Sequence, residues 1–500
     1  MSAKKSRRKN WMAQLAHHYE KMRSLYPDDN LMIVFDIDGT ILDMRYNVLY
    51  VLRLYDRTHH TTHFRHLRVE DIDVHENQVD LLLKRLFIPP DEQARILDWY
   101  NNHRRSPEAI LEAHRPFRGV MEVIRWFQIQ PKTFVGLNTG RPETVRQDTL
   151  RCLNELGKAY RVQFDDELLF MNPNDWEERV LEAKVKGIRT FQEKGFRIFA
   201  VVDNEPEVLQ AIAREDKDSE ILLLHAATIF ESKRVSLPAQ AVRGREYDIT
   251  ELIPERALPQ NIQLVWHGVN DEANLRQFLA TPRVRWGECD VVFDPSRSEP
   301  VLRHDTFEET PPSEDEEWLQ LDYVLGEFRR WEKNIKLDIK EDSELIERVL
   351  DLVEKHNFPD EALWFNGEVR SFKESDFRRL AEAHPKAVVQ CSIDFLAPLV
   401  VSAPDKAKEV LDMLREWGIN RFSINWLVPD ARKFFNQMDA WGFEVNIYNV
   451  PDLEAFLQAV LLMPRSITTD FNFPKWHYYG RGAGQRGKHI EYRMRRPQAP

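Results

Sequence analysis

From residue 262 to about 479 the chain repeats one phrase eight times: a short apolar run, then a longer amphipathic stretch. The runs are IQLVWHG, RWGECDVVF, NIKLDIK, ALWFN, AVVQCSI, RFSINWLV, FEVNIYN and SITTDF. Between most of them lie segments such as SELIERVLDLVEKH, KAKEVLDMLREWG and DARKFFNQMDAWG, with apolar residues three and four apart. Such runs read as buried strands and such segments as helices. Eight strand–helix units in roughly 240 residues have the size and rhythm of a (β/α)8 TIM barrel. One extra run, PVLRH, directly follows the second strand and reads as an added β-ribbon.

Upstream, LMIVFDI, TFVGLNT, FRIFAVV and ILLLH also alternate with helical patterns, as in a parallel α/β sheet. A mostly helical insert, about 45–115, interrupts them after the first strand and reads as a cap. The stretch ITELIPERALPQN carries two prolines and no clear period, so the domain boundary is placed there. The expected organisation is a basic N-terminal extension (1–30), a capped α/β domain (31–250), a linker (251–261), the barrel (262–479) and a flexible basic tail (480–500). Five hundred residues are too many for one ordinary core, which agrees with two domains.

Composition narrows the class. No apolar run approaches the ~20 residues needed to cross a bilayer, and the basic start, MSAKKSRRKNW, lacks the apolar segment of a signal peptide. Cys152, Cys289 and Cys391 lie far apart without a CxxC, so neither a disulfide framework nor a zinc knuckle is expected. A soluble, cytoplasmic protein is the expectation. The net charge of −12 argues against a generic nucleic-acid binder.

Two stretches carry acids where a buried strand should finish. In VFDIDGTILD, Asp36 and Asp38 alternate past Ile37 at the carboxyl edge of the first strand, where parallel sheets bind ligands. Two carboxylates so close are tolerable beside a divalent cation, and one can then attack phosphorus while the other handles the proton. Thr139 in NTGR, a lysine from the helix before VVDNE, and Asp203 at the end of that strand complete a phosphate-handling set.

This ordered set resembles the haloacid dehalogenase-like (HAD) phosphatases, over roughly residues 31–224. The resemblance implies a Rossmann-like domain with a helical cap. It makes Asp36 the nucleophile, Asp38 the general acid/base and Thr139 a phosphate ligand, with Mg²⁺ on Asp36, Asp203 and the Asp38 main-chain carbonyl. Lys184 is the lysine chosen to neutralise the phosphate, with Lys186 two residues on as the alternative. Asn204 and Glu205 follow Asp203, where the family often has a second acid. In the cap, His59, His63 and His66 stand at helix-compatible spacing, which suits a zinc site or a substrate-contacting surface.

In the barrel, catalytic groups belong at the carboxyl ends of the strands. His267 ends the first strand. Glu288 and Asp290 share one face of the second, Asp338 and Lys340 share one face of the third full strand, and His304 follows PVLRH. Three carboxylates at one mouth suit a hard cation, two imidazoles can serve as acid and base, and a lysine can offset developing charge. Asn366, Asn425, Trp426 and Asp470 are further candidates for the mouth.

HGVNDEANL, GECDVVF, PVLRHD and KNIKLDIK resemble the phospholipase-C-like phosphodiesterase superfamily, which includes the glycerophosphodiester phosphodiesterases, and more narrowly the menorin family. The resemblance implies Mg²⁺, Ca²⁺ or Mn²⁺ on Glu288, Asp290 and Asp338, His267 and His304 as the acid/base pair, and Lys340 on the phosphate. Gly268 follows His267 directly, where glycerophosphodiesterases usually read His-Arg-Gly. The joint expectation is a bifunctional phosphoric ester hydrolase: the barrel opens a small diester or cyclic phosphate and the capped domain dephosphorylates the resulting monoester. The alternatives are a capped phosphatase with a non-catalytic barrel, and a nucleic-acid 3′-phosphatase.

Overall fold

A computed structural model describes the chain except residues 1–9, 231–234, 254–256, 283, 295, 297, 313–315, 342–343, 451–452, 470, 473–476, 481–489 and 493–500. Asp470, the first basic residues and most of the basic tail therefore lie outside the described residues. The chain divides into two compact units, Met1–Pro254 and Glu255–Pro500. Among the described residues no helix is long and apolar enough to cross a membrane.

The first unit holds a parallel six-stranded sheet: β1 (Asn30–Phe35), β2 (Thr133–Pro142), β3 (Leu169–Asn172), β4 (Phe196–Asp203), β5 (Leu222–Ala226) and β6 (Val242–Gly244). Their order is β3-β2-β1-β4-β5-β6. The chain winds outward from β1 in one direction and then from β4 in the other, so the topological switch point lies between β1 and β4. Leu31 to Phe35 are all buried, which is why their run is continuously apolar rather than alternating. The strands β3 and β6, of four and three residues, add to the four strands expected from the sequence.

The insert between β1 and β2 is helical, as expected. Its helices Arg45–His59, Val79–Arg85, Pro90–His103 and Pro107–Glu112 enclose a separate core that includes Val48, Leu52, Leu83, Ile96 and Tyr100. The first helix stops where His60 turns into the left-handed region (φ 53°). His63 and His66 thus lie beyond it, and the helical spacing expected for the three histidines is not present.

The second unit is a closed barrel of eight parallel strands: β7 (Gln263–Trp266), β8 (Trp286–Asp294), β10 (Asn334–Ile339), β11 (Leu363–Gly367), β12 (Val388–Ser392), β13 (Arg421–Asn425), β14 (Glu444–Val450) and β15 (Ser466–Thr469). Pairing of β15 with β7 and of β8 with β10 closes the ring. The run containing PVLRH forms β9 (Glu299–Leu302), antiparallel to β8 and outside the ring. In register, Lys336 stands opposite Glu288 and Asp338 opposite Asp290. Side chains two residues apart share a face, so β8 and β10 present two layers, an acid opposite a lysine and then an acid opposite an acid.

Candidate functional sites

At the switch point of the first unit, Asp36 follows β1 and Asp203 closes β4. Lys184, from the helix Val180–Glu193, bridges them: its Nζ lies 2.8 Å from Asp36 Oδ1 and 2.7 Å from Asp203 Oδ2. All three are buried. Lys186 is exposed on another face of the same helix. The two carboxylates face one ammonium here. Burial, with Asp203 and Asp38 nearby, pushes the Asp36 carboxyl up to about 7 in spite of Lys184. Burial opposes the charge on Lys184, but Asp203 and Asp36 hold its ammonium above the ordinary range.

Asp38 takes the opposite course. Arg141 grips it with two bonds, Nε to Oδ2 at 2.8 Å and Nη2 to Oδ1 at 2.6 Å. Burial alone would raise this carboxyl, yet the guanidinium brings it below the usual value. Behind Arg141 sits His114, whose Nδ1 donates to the Ile110 carbonyl at 2.8 Å and whose Nε2 lies 3.5 Å from Arg141 Nη2. Burial and Arg141 drive its pKa down to about 4, so it stays neutral. Thr139 is buried on β2, and its Oγ1 accepts from the Arg141 N–H at 3.2 Å. Sequence reasoning overlooked Arg141 and His114. Arg141 stands two residues after Thr139, on the same face, and that alternation was a usable signal.

The turn after Asp38 depends on Gly39, at φ +76°. A Cβ there would stand 2.8 Å from both Asn204 Nδ2 and Phe230 Cβ. Asn204 in turn donates to the Phe230 carbonyl at 2.6 Å and accepts from Thr40 Oγ1 at 3.2 Å. Gly39→Ala is therefore expected to cost about 2–4 kcal/mol of the first unit's stability, from left-handed strain plus overpacking. Urea denaturation measures it; a loss under 1 kcal/mol would show that the turn can relax.

Among the described residues no three His, Cys, Asp or Glu side chains are gathered as a metal cluster. The crevice nevertheless fits a Mg²⁺-class ion. It offers two hard carboxylates with one ammonium between them, so one negative charge is left over for a cation to meet. An ion of that kind is commonly held by one or two carboxylates plus water. The three cap histidines are not gathered. His63 Nε2 bonds Glu92 Oε1 at 2.8 Å, His59 packs its ring against Tyr55 and Trp99, and His66 is exposed.

At the mouth of the barrel, Lys340 stands 2.8 Å from Asp290 Oδ1 and also bonds Asp338 Oδ2. Asn270 donates to Asp290 Oδ2, and Asn366 to Asp338 Oδ1 at 2.6 Å. One layer deeper, Lys336 lies 2.8 Å from Glu288 Oε1. Burial would raise Glu288, but Lys336 and then His267 bring it below its usual value, and Lys340 acts likewise on Asp290. Glu288 Oε2 has no hydrogen-bond partner among the described residues and lies 3.3 Å from His267 Nε2. His304 Nδ1 bonds Asp305 at 2.6 Å with the ring 56% exposed, and it bears on Asp290 only through space. Asn425 Oδ1 accepts from the Leu427 N–H, a local turn contact.

Asp290 and Asp338 share one layer, Glu288 lies one layer deeper, and their oxygens are mostly taken. Lys340 occupies the position between Asp290 and Asp338 that a bridging cation would take, and Lys336 neutralises Glu288. Lysines stand among these acids as Lys184 stands between Asp36 and Asp203, and with three carboxylates to two ammonium groups the donor set still offers hard oxygens to a divalent ion. Lys336, two residues before Asp338 on the same face, was the overlooked residue.

No family model and no curated protein matches the chain. Solved structures do. An Oleispira antarctica phosphodiesterase in complex with sn-glycerol-3-phosphate is 17% identical, covering 43% of this chain and 94% of its own, with TM-score 0.34. A glycerophosphodiester phosphodiesterase from Agrobacterium tumefaciens is 14% identical, covering 41% and 95%, with TM-score 0.29. A HAD-superfamily hydrolase from Geobacter sulfurreducens is 13% identical, covering 44% and 95%, with TM-score 0.29. Each accounts for less than half of this chain, and the two kinds of structure are the two kinds that the motifs resemble.

Proposed function

We propose that the first unit is a phosphomonoesterase and the barrel a phosphodiesterase, acting in sequence on small phosphorylated substrates. The observation that carries the first assignment is Lys184 bridging two buried carboxylates at the switch point, beside an Asp38 fixed by Arg141. Buried like charges of this kind are costly to folding, and phosphate chemistry gives them a use. Asp36 attacks phosphorus and the alcohol leaves as Asp38 protonates its oxygen. Water then attacks the phosphoryl-aspartate, Asp38 takes its proton, and inorganic phosphate is released. Arg141 holds Asp38 ionised, ready for that second step. The negative charge of an arriving phosphate raises Asp38 toward the protonated form needed in the first. Lys184 neutralises the phosphoryl oxygens. Mg²⁺, held by Asp36, Asp203 and the Asp38 carbonyl, would supply further charge stabilisation.

For the barrel, support comes from His267 and His304 around the Asp290–Lys340–Asp338 network. Its lysine-neutralised acids equally favour a second reading, in which the barrel binds a phosphate ester without cleaving it. The narrower likeness to the menorin family rests on the sequence motifs alone. Aryl phosphodiester and aryl phosphomonoester assays, with Mg²⁺ and Mn²⁺, separate the two readings. His267→Ala and His304→Ala are each expected to lower diester cleavage at least about a hundredfold, leaving monoester cleavage within twofold. If wild type cuts the monoester and never the diester, the barrel is a binding module.

A further inference from the structure

The cap leaves the core of the first unit and returns to it through two short crossings, residues 41–44 and 113–118, and the two are laced together. The Asp43 N–H donates to the Arg115 carbonyl at 2.9 Å, the Phe117 N–H donates to the Ile41 carbonyl at 2.9 Å, and Leu42 and Pro116 pair antiparallel between them. The outgoing crossing is tied in turn to the turn that carries Asp38. The Gly39 N–H meets the Leu42 carbonyl at 2.9 Å, and the Ile41 and Leu42 N–H groups both reach the Ile37 carbonyl at 2.9 Å. The returning crossing reaches the same acid by another route, the side chain of His114.

His114 follows the last cap helix, Pro107–Glu112, and is buried. Its Nδ1–H goes back to that helix, to the Ile110 carbonyl at 2.8 Å, so in the neutral ring Nε2 is left as an acceptor. Nε2 faces Arg141 Nη2 at 3.5 Å. The Arg141 guanidinium is thereby held at three corners. The edge formed by Nε and Nη2 takes both oxygens of Asp38, Nη1 donates to Thr149 Oγ1 at 3.1 Å, and the second hydrogen of Nη2 has His114 Nε2 beside it. Thr149 lies on the helix Arg146–Lys158, and Cys152 of the same helix has its Sγ 3.9 Å from His114 Nδ1. The Arg141 side chain is 2% exposed, whereas that of Asp38 is 25% exposed. The more exposed group is the one that has to meet substrate, so its position is set from behind.

A bidentate guanidinium fixes a carboxylate only while it is itself fixed. A single anchor, Thr149 at Nη1, lets the group pivot and carry Asp38 with it; a second, His114 at Nη2, stops the pivot. Asp38 has to serve twice, at the leaving oxygen and at the attacking water, and a misplacement of about 1 Å at such a group can cost about a hundredfold in rate. We propose that His114 is a positioning residue for the monoesterase reaction: it holds Arg141 in register on Asp38, and so ties the presentation of the acid/base to the seating of the returning cap crossing. The proposal rests on the monoesterase reading above and concerns the same site.

The test separates the two bonds of His114. In His114→Gln the amide oxygen reaches about as far as Nε2 and can still accept from Arg141, while the bond to Ile110 is given up. In His114→Asn the amide nitrogen stands near the place of Nδ1 and can still donate to Ile110, while Arg141 loses its acceptor. His114→Phe keeps a ring and loses both bonds. With an aryl phosphate and Mg²⁺, kcat is expected to fall at least about tenfold in His114→Asn and His114→Phe with KM within about threefold of wild type, and to stay within about threefold in His114→Gln. A group that merely packs the crossing would give losses that follow the melting temperature and ignore which bond is kept. His114→Asn as active as His114→Gln therefore overturns the proposal, and so does His114→Gln falling as far as His114→Asn. If His114→Phe does not fold, the other two variants decide alone. If wild type hydrolyses no monoester, the monoesterase reading falls, and hydrogen exchange decides the positioning role separately. Residues 38–43 should then exchange at least about threefold faster in His114→Asn than in His114→Gln, and equal exchange overturns the role.

Discussion

Asp36→Asn is expected to lower phosphomonoester hydrolysis at least about a thousandfold in kcat/KM while the protein melts no earlier than wild type. The two halves of that expectation have separate causes. Asparagine fills the same volume and can still accept a hydrogen bond from Lys184, but its amide does not form the phosphoryl-enzyme bond. Burial holds the Asp36 carboxyl above its normal range, so its charge is a cost to the folded state that the neutral amide removes. Lys184 keeps Asp203 as its 2.7 Å partner. Phosphate release from an aryl monoester with Mg²⁺ reads the first half. Thermal melting in chelator, so that no bound cation contributes, reads the second. Activity within tenfold of wild type would place the nucleophile elsewhere, and an earlier melt would make Asp36 a structural residue. Loss of function together with equal or greater stability separates a functional acid from a structural one.

What the sequence made legible follows from the range of each signal. The eight barrel strands and β1, β2, β4 and β5 could be read because each falls in a regular alternation with amphipathic stretches, which is what marked out β7 and β15 at only four residues each. The short strands β3 and β6 were not read, and the sheet acquires them by pairing with β2 and β5. Strand order needed no guess at β9, since PVLRH is too close to β8 to return in any direction but antiparallel.

The sites divide along the same line. Residues tied to a strand end, such as Asp36, Asp203 and Asp338, are fixed by chain direction and could be placed from sequence. Arg141 and Lys336 obey the same alternation, but a basic residue that neutralises a buried acid carries no motif of its own until the acid's position is known. The cap is another matter. His63 and Glu92 come together from a loop and a helix 29 residues apart, through a core with no strand register, and no spacing rule foretells that meeting. The cap histidines failed for a local reason. Their spacing presumed a helix that His60 ends in the left-handed region, a conformation His tolerates better than most residues.

Lys184 and Lys186 offer the strongest contrast, because both were plausible from the motif and only the helix phase separates them. On the helix Val180–Glu193 the buried residues are Ala183, Lys184, Gly187, Ile188 and Phe191, one stripe at helical spacing, and Lys186 falls outside it. Lys184→Met keeps most of the side-chain volume but leaves Asp36 and Asp203 buried without their cation. Breaking a buried pair in this way costs about 3–5 kcal/mol. For a unit of this size that is a melting temperature lower by roughly 10 °C. Monoester hydrolysis should also fall by about a hundredfold or more, since the phosphoryl oxygens lose their neutralising charge. Lys186→Met, at an exposed position, should stay within about 0.5 kcal/mol of wild type. Melting curves and phosphate release on the two purified variants are enough to decide. A stable Lys184→Met protein would mean that the carboxylates discharge by protonation rather than needing the lysine. A damaged Lys186→Met protein would mean that the helix is turned by about two residues from the phase described.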